Sequence, residues 1–176
     1  LVPTGTGSDL DNCRAIVSSI HGQQGQPQRL FQRRHLFAQR LDLGREVGGP
    51  ILRLGEGLPE LGSAPPAQFG GPGDQWSPEH LLVASVADCF VLTFRAIARA
   101  SKLEWDSLEA SAEGVLERVE RVTKFTSVTV NATLTVPAGT DEEKARRLLQ
   151  KAEDACLITN SMTAETHLEA AIIAAP

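Results

Sequence analysis

Two cysteines stand at positions from which a reactive thiol pair could be built. Cys89 falls inside an apolar, helix-like segment, and Cys156 ends an apolar series on a later one. A thiolate is a strong nucleophile towards peroxide oxygen, and a second thiol nearby can then close a disulfide. A cysteine in an apolar helix is more often a small core residue than a nucleophile. Each cysteine taken alone is therefore more simply interpreted as a packing residue, and the neighbouring residues decide whether it is a reactive thiol.

The remaining candidate groups do not form a second constellation. Cys13 lies near the N-terminus in no recognisable segment, and we interpret it as a bystander thiol. The four histidines have no ligand spacing with one another or with the cysteines, so neither a metal nor another bound cofactor is expected. The glycine-rich residues 70 to 73 lack the Lys-Ser/Thr ending of a phosphate-binding loop.

Composition and charge limit the partners. The chain has 176 residues, of which 41% are hydrophobic, which suits one core, and its formal net charge is −5. Nucleic acids and anionic membranes select basic surfaces, so neither is expected as a partner. Asp88 and Arg95 interrupt the longest apolar run, which argues against a membrane span. An odd number of cysteines without a secretory leader predicts a reducing, cytoplasmic compartment.

The N-terminal part of the chain differs in composition from the rest. Residues 1 to 34 are rich in Gly, Gln and Ser without helical or strand periodicity, and we interpret them as a tail, poorly ordered or in part an artificial extension. Residues 35 to 176 are predicted to form the folded domain. Within it, apolar segments at 36 to 43 and 51 to 54 predict a hairpin, and the Pro- and Gly-rich residues 57 to 75 predict a surface loop.

The best-marked helix is predicted to follow this loop and to run to about Ala100. Ser77 suits the N-cap, Pro78 suits the first helical position, and Glu79 lies where the helix dipole favours negative charge. The segment is apolar on almost every side, so the helix must be buried on most sides. A single sheet covers only one face, so we expect a second copy of the chain to cover another.

The strand pattern downstream predicts an antiparallel sheet. Apolar and polar residues alternate at 108 to 117 and again at 128 to 136, which predicts two half-buried strands joined by a turn near residues 121 to 125. A final strand is expected near residues 166 to 173. Strands with helices set apart from them give the α+β class.

A second helix is predicted between the last two strands. Thr140 with Glu143 forms a capping box, and the apolar stripe that follows ends at Cys156. This thiol is therefore expected on the buried face at the C-terminal end of the helix. The negative end of the helix dipole disfavours a thiolate there, which suits a resolving thiol better than an attacking one.

Two segments carry a family resemblance. SPEHLLVASVADCF, from Ser77 to Phe90, resembles the central-helix signature of the OsmC/Ohr family (osmotically inducible protein C / organic hydroperoxide resistance protein), in which a reactive Cys follows a Pro-Glu pair by ten residues. CLITNS, from Cys156, is similar to the second-cysteine segment of that family. The resemblance covers about residues 35 to 174. It implies an OsmC-like α+β fold, with an antiparallel sheet packed around a buried central helix in an intertwined homodimer.

The same resemblance implies a thiol-dependent peroxidase that reduces organic hydroperoxides to alcohols in oxidative stress defence. Cys89 corresponds to the attacking thiol and Cys156 to its disulfide partner, with an external dithiol or lipoyl-type molecule as the reductant. Glu79 and Arg45 correspond to the acidic and basic residues that organise the family site, and Arg53 is the alternative arginine. The sequence departs from the family pattern at Asp88, which should point away from the site because adjacent helical positions lie about 100° apart.

The position of Cys89 leads to three expectations about the site. Apolar surroundings in the middle of a helix raise the pKa of a thiol, so a cation is required to lower it, and an arginine held by Glu79 suits this role. Leu82, Val86, Phe90 and Leu92 should form an apolar wall that favours organic peroxides. Glu79 and Cys89 lie about 15 Å and about 80° apart on one helix, so the site should combine two chains.

Two other interpretations of function remain open. The chain could be a stress-related module that binds apolar ligands, with its cysteines as packing residues. It could also be a redox sensor that forms the disulfide without turnover. An exposed Cys89 with a low pKa distinguishes thiol chemistry from the first of these, whereas the sequence does not separate a sensor from an enzyme.

Overall fold

The structure is a computed structural model, and it describes residues 57 to 175 together with the backbone of strands at 13 to 21, 40 to 42 and 51 to 53. The chain divides into two compact units, one formed by Leu1–Gly22 and His80–Pro176 and the other by Gln23–Glu79. In chain order the elements are β1 (Cys13–His21), β2 (Arg40–Asp42), β3 (Ile51–Arg53), β4 (Leu61–Gly62), α1 (Pro78–Ala100), β5 (Ser107–Val119), β6 (Val122–Val136), α2 (Glu142–Asp154) and β7 (Glu165–Ala174).

The smaller unit contains a three-stranded antiparallel sheet in the order β2-β3-β4. The expected hairpin is confirmed, with Leu41 paired to Leu52. The region predicted as a plain loop also contributes β4 and a short 3-10 helix, Ala67–Phe69. Its turn depends on Gly71, because a Cβ there would lie 1.6 Å from the carbonyl oxygen of Pro65.

The larger unit has a four-stranded sheet in the order β1-β5-β6-β7. Strands β1, β5 and β6 pair antiparallel, whereas β7 runs parallel to β6. The prediction of an antiparallel sheet is therefore wrong for the last strand, and the sheet is mixed. The reason is that α2 carries the chain from the end of β6 back to its beginning, and a crossover of this kind makes the next strand parallel.

Strand β1 lies inside residues 1 to 34, for which the sequence pattern predicted a tail. It pairs with β5 from Cys13 opposite Gly114 to His21 opposite Ser107. A strand therefore forms at residues 13 to 21 without clear alternation of its own, because a neighbouring strand supplies the hydrogen-bonding partners. The proposed boundary near residue 34 lies outside the described residues.

The β5–β6 hairpin turns earlier and more tightly than predicted. Its two turn residues are Glu120 and Arg121, with φ angles of 49° and 73°. Two central residues with positive φ match the twist of a two-residue hairpin turn. The tip of the hairpin is exposed, so no apolar alternation marked the place where the strands end.

One face of α1 packs on the sheet and forms the core of the larger unit. The buried helix residues are Val83, Val86, Ala87, Phe90, Val91, Phe94 and Ala98. At Gly114 on β5 a Cβ would lie 2.6 Å from the ring of Phe125 and 2.9 Å from Val83, so only a glycine allows this close approach. Full burial of an aromatic side chain such as Phe94 stabilises the fold by roughly 2 to 3 kcal/mol. The core thus fixes the rotation of α1.

The opposite side of α1 is not fully covered by the described part of the chain. Leu92 is 50% exposed, and only 39% of the most apolar window of the helix is buried. Helix α1 is long and apolar enough to cross a membrane, judged by length and composition. Asp88 and Arg95 therefore do not by themselves exclude a membrane span, contrary to the prediction from the sequence. The core helix of a soluble protein meets the same criteria of length and composition, and the seven buried residues of α1 favour that interpretation.

Helix α2 begins one residue later than the capping box predicted. The Asp141 carboxylate caps it by accepting a hydrogen bond from the Lys144 amide at 2.9 Å, while the Thr140 hydroxyl donates to the Pro137 carbonyl at 2.7 Å. The aspartate at the cap also places negative charge at the positive end of the helix. The helix ends at Asp154, so Cys156 lies in the turn beyond it.

Candidate active site

Cys89 and Cys156 meet at one site in the larger unit. Cys89 lies near the middle of α1, Cys156 follows α2, and the two thiols form a hydrogen bond with each other. Both are free thiols. The fold therefore brings together the two cysteines that the sequence singled out.

The Cys89 thiol has the environment of a reactive cysteine. Its side chain is only partly buried. This burial raises its pKa, but hydrogen bonds from the Ile158 amide, the Cys156 thiol and the Leu157 amide lower it. The Thr93 hydroxyl adds a further hydrogen bond. The net result is a pKa below the ordinary value for a thiol, because four donors surround the sulfur.

The two amide donors belong to the turn that follows α2. The carbonyl of Cys156 accepts the Asn160 amide at 3.1 Å, and the carbonyl of Ile158 accepts the Ser161 amide at 3.0 Å. The turn thus uses these carbonyls internally, and the amides of Leu157 and Ile158 point outwards to the thiol on α1. The position of the turn decides how well these donors stabilise the thiolate.

The Cys156 thiol has the opposite character. It is 1% exposed, and this burial raises its pKa. The amide and hydroxyl of Thr159 lower the pKa, the neighbouring Cys89 raises it, and the Ile158 amide lowers it, with a net increase. The direction agrees with the sequence prediction of a poorly ionised resolving thiol. Burial, rather than the helix dipole, is the leading cause.

The expectation that a cation lowers the pKa of Cys89 stays a prediction, because Arg45 and the side chain of Arg53 lie outside the described residues. Among the described residues, hydrogen bonds alone lower the pKa of this thiol. Sequence reasoning missed the amides of Leu157 and Ile158 because every residue has an amide and the sequence does not reveal where it points. Thr93 had a detectable signal, since it lies four residues after Cys89 and helical residues at this spacing share a face.

Of the acidic and basic residues expected to organise the site, the structure describes the side chain of the acidic one. Glu79 lies in the first turn of α1, half-buried, and its Oε2 atom is buried without a hydrogen-bond partner among the described residues. An unpaired buried carboxylate oxygen is costly, so it indicates that a donor belongs there. Arg45 lies outside the described residues. Arg53 lies in β3, and its side chain is also outside them.

Two of the four residues predicted to form an apolar wall beside Cys89 lie in the core instead. Val86 and Phe90 are fully buried in the core and cannot contact a substrate. Leu92 is exposed, and Leu82 lines a cavity of about 370 Å³ whose other lining residues are Lys124, Phe125, Ser161, Met162, Thr163 and Ala164. Leu82 precedes Cys89 by seven residues, so both lie on the same side of α1. Asp88 is exposed and does not enter the core.

Groups of acidic, histidine and cysteine side chains that could hold a metal ion are absent from the described part of the chain.

Comparison with known proteins places this site in a family. Residues 71 to 171 match the family model of the OsmC-like proteins, and the chain belongs to this family. It is 25% identical over 112 residues to YmaD of Bacillus subtilis, covering 61% of this chain and 75% of YmaD. The family predicted from the two cysteine segments is confirmed.

Solved structures show the same fold. An organic hydroperoxide resistance protein from Legionella pneumophila matches 81% of this chain and 99% of its own, with 23% identity and a TM-score of 0.64. The organic hydroperoxide resistance protein OhrB of Bacillus subtilis matches 78% of this chain and 99% of its own, with 20% identity and a TM-score of 0.57. The OsmC-like α+β fold is thereby confirmed, with the mixed sheet as its correction.

Proposed function

We propose that this protein is a thiol-dependent peroxidase that reduces organic hydroperoxides to alcohols in oxidative stress defence, in the cytoplasm. The observation that carries the proposal is the contact between two thiols whose pKa values shift in opposite directions. Proteins of the same fold named for organic hydroperoxide resistance support it. A partly buried Cys89 with a lowered pKa also favours thiol chemistry over a ligand-binding module with cysteines as packing residues.

The first step is attack by the Cys89 thiolate on the terminal oxygen of the hydroperoxide. A sulfur–oxygen bond forms, the O–O bond breaks, and the alkoxide leaves and takes a proton from solvent to become the alcohol. The sulfur is oxidised by two electrons to a sulfenic acid, and the peroxide is reduced. The donors around Cys89 support this step because only the thiolate is a good nucleophile.

The second step is disulfide formation with Cys156. Its sulfur attacks the Cys89 sulfenic acid, and the hydroxyl group leaves with the Cys156 proton as water. The hydrogen bond between the two sulfurs means that little movement is needed. A raised pKa at Cys156 keeps this thiol protonated, and therefore unreactive towards the peroxide, until the sulfenic acid has formed.

The third step returns both thiols with an external dithiol, of the lipoyl type or similar. Cys89 is the accessible half of the disulfide, whereas Cys156 is 1% exposed. Access decides which sulfur a reductant attacks, so the mixed disulfide should form at Cys89 and expel the Cys156 thiol. The second sulfur of the reductant then releases Cys89.

Glu79 is proposed to hold an arginine at the site. Its buried, unpaired Oε2 supports this, because an arginine fork would satisfy the carboxylate. Glu79 and Cys89 lie about 15 Å apart on one helix, so this arginine reaches a peroxide oxygen only in a site that combines two chains. Arg45 is the first choice and Arg53 the alternative. Replacing each with Ala should lower kcat/KM for peroxide strongly for the site arginine and little for the other, which then serves as the matched control.

We further propose that the protein is a homodimer through α1. Leu92 on this helix is 50% exposed, and Leu157 in the turn after α2 is 75% exposed. Large apolar side chains exposed in this way favour burial against a second copy of the chain. Sedimentation at micromolar concentration should give a dimer, and Leu92→Glu should dissociate it. A well-folded, fully active wild-type monomer would contradict the arrangement.

The peroxidase proposal is tested by steady-state consumption of cumene hydroperoxide with a dithiol. The wild type should turn over, and Cys89→Ser should fall below about 1% of its rate, because a hydroxyl is a far weaker nucleophile than a thiolate. Cys13→Ser is the matched control and should keep wild-type activity. A wild type that forms the disulfide once and does not turn over would instead identify a redox sensor.

A further inference from the structure

We propose that Asn160 is a positioning residue for the resolving thiol: its side chain ties the turn that carries Cys156 to the end of α2, and so holds Cys156 where it can close the disulfide. The inference deepens the proposed function, and it rests on that function for the pairing of Cys156 with Cys89. Asn160 acts on the backbone of the turn and not on the reacting sulfur atoms.

The end of α2 leaves backbone carbonyls that need partners beyond the helix. The last carbonyls of any helix have no partner within it. The carbonyl of Glu153 accepts the Cys156 amide at 3.0 Å. The carbonyl of Asp154, the last helical residue, accepts the side-chain amide of Asn160 at 2.9 Å. A side chain from the far end of the turn therefore completes the end of the helix.

Asn160 also holds Cys156 through its own backbone. The Asn160 amide donates to the Cys156 carbonyl at 3.1 Å. The side chain of Asn160 thus binds the carbonyl two residues before Cys156, while its backbone binds the carbonyl of Cys156 itself. Together these bonds close residues 154 to 160 into a ring, so the backbone from which the Cys156 side chain projects is fixed.

The chemistry of the two groups decides which atom of the Asn160 amide faces the helix. A carbonyl oxygen can only accept, so Nδ2 and not Oδ1 must face the Asp154 carbonyl. Asn160→Asp keeps the shape but turns an oxygen towards that carbonyl, and it adds a negative charge at the negative end of the helix. The contact therefore requires a donor, which asparagine has and an ionised aspartate lacks.

The position of Asn160 on the surface makes its role separable from packing. Asn160 is exposed, whereas Cys156 is 1% exposed. An exposed side chain fills no space in the core, so its truncation leaves no cavity there. Without the tie, the turn can adopt other conformations, and only a fraction of the molecules then keeps Cys156 in place.

A merely structural role is the competing explanation. A helix cap that only stabilises the fold would change the free energy of unfolding, but not the rate at which Cys156 attacks within a folded molecule. That attack is intramolecular, so its rate depends on how often the folded chain holds Cys156 within reach. The two roles therefore separate in the rate of disulfide closure.

The test measures this rate without peroxide, in the full chain carrying Cys13→Ser, with one equivalent of dithiobis(nitrobenzoate). The Cys89 thiolate attacks the reagent disulfide, forms a mixed disulfide and releases one coloured thiolate. Cys156 then attacks the Cys89 sulfur, forms the protein disulfide and releases the second coloured thiolate. The first release reports the reactivity of Cys89, and the second, which does not depend on reagent concentration, reports closure by Cys156.

The variants in this background are Asn160→Ala and Asn160→Asp. Gln150→Ala is the matched control, because the Gln150 side-chain amide donates at the same helix end, to the Asp154 carboxylate at 3.0 Å, rather than to the backbone. The second release should slow by about threefold to tenfold in both Asn160 variants and stay unchanged in Gln150→Ala. The lifetime of the Cys89 sulfenic acid after one equivalent of cumene hydroperoxide should lengthen by the same factor.

A second release in Asn160→Ala that is as fast as in the parent would overturn the inference, as would equal slowing in Gln150→Ala. Parent-like closure in Asn160→Asp would do the same, because it would assign the effect to shape and not to the donor. If Asn160→Ala does not fold, the isosteric Asn160→Asp carries the test.

The two proposals fail separately. A parent that closes the disulfide with the reagent but does not turn over peroxide would remove the proposed function and leave the role of Asn160 intact. An active peroxidase whose closure rate is the same in the Asn160 variants would leave the function and remove the inference. A parent that releases only one coloured thiolate would overturn both, because Cys156 would then not pair with Cys89.

Discussion

Cys89 and Cys156 contact each other, yet their surroundings differ in exposure, in donors and in the direction of their pKa shifts. Cys89 lies partly buried on a long helix, and four hydrogen bonds outweigh the effect of burial and lower its pKa. Cys156 lies 1% exposed in a turn, and burial outweighs the hydrogen bonds of Thr159 and raises its pKa. The same chemical group thus acquires two characters within one contact.

The comparison shows that burial alone does not set thiol reactivity. It is the leading cause acting on both thiols, and it raises the pKa of each. The difference comes from the donors, because two backbone amides from one turn point at Cys89. A sequence pattern that records apolar surroundings therefore predicts the effect of burial and misses the effect that reverses it.

The largest effect expected from this difference is an asymmetry between serine variants. Cys89→Ser should not react with peroxide at all, whereas Cys156→Ser should consume about one equivalent and stop as a sulfenic acid. Peroxide consumption and dimedone labelling of the sulfenic acid measure both. Cys13→Ser again serves as the control for the substitution itself. Equal single-turnover reaction in the two variants would mean that the roles are reversed or absent.

The pH dependence should separate the thiols next. Because the pKa of Cys89 is lowered, its thiolate is fully formed above that pKa and is lost as the pH falls through it. Because the pKa of Cys156 is raised, its thiolate appears only above the ordinary thiol range. Alkylation should therefore modify Cys89 at a lower pH than Cys156, as read by peptide mass spectrometry. Alkylation of Cys156 at a lower pH than Cys89 would contradict the assigned difference between the two thiols.

The same shifts predict how stability depends on pH. A lowered pKa at Cys89 favours the folded state once the thiol ionises, and this contribution is lost as the pH falls through the folded pKa. A raised pKa at Cys156 favours the folded state while the thiol is protonated, and this contribution is lost as the pH rises above the unfolded value of about 8.5. Urea unfolding of Cys156→Ala should show less alkaline loss of stability than the wild type.

The smallest effect concerns the resolving thiol and Thr159. Its hydroxyl donates to the Cys156 carbonyl at 3.2 Å, and the same hydrogen can rotate towards the Cys156 sulfur, which lowers the pKa of this thiol. Thr159→Val should raise the pKa of Cys156 further and slow disulfide closure by about threefold, with initial sulfenic acid formation much less affected. Stopped-flow detection of the sulfenic acid lifetime measures this. Thr133→Val on β6 is the control, and equal lifetimes in both variants would contradict the role of Thr159.

Much of the fold could be predicted from local pattern. Helix α1 begins at Pro78 as its start signals predicted, and the last strand, Glu165–Ala174, occurs where one was expected, near residues 166 to 173. Local pattern did not predict the direction of strand pairing, because the residues of β7 contain no signal that it lies parallel to β6. It also failed at the Glu120–Arg121 turn and at the Asp141 cap, where neighbouring residues offered equally good signals.

The sequence by itself determined the family, the two cysteines and the apolar character of α1, because these depend on residue types at fixed spacing along the chain. The tertiary structure decided how reactive each thiol is. The lowered pKa of Cys89 depends on amides from a turn distant in sequence, and the raised pKa of Cys156 depends on burial by elements on every side. Both causes act through space over a few ångströms, and only the folded chain sets those distances.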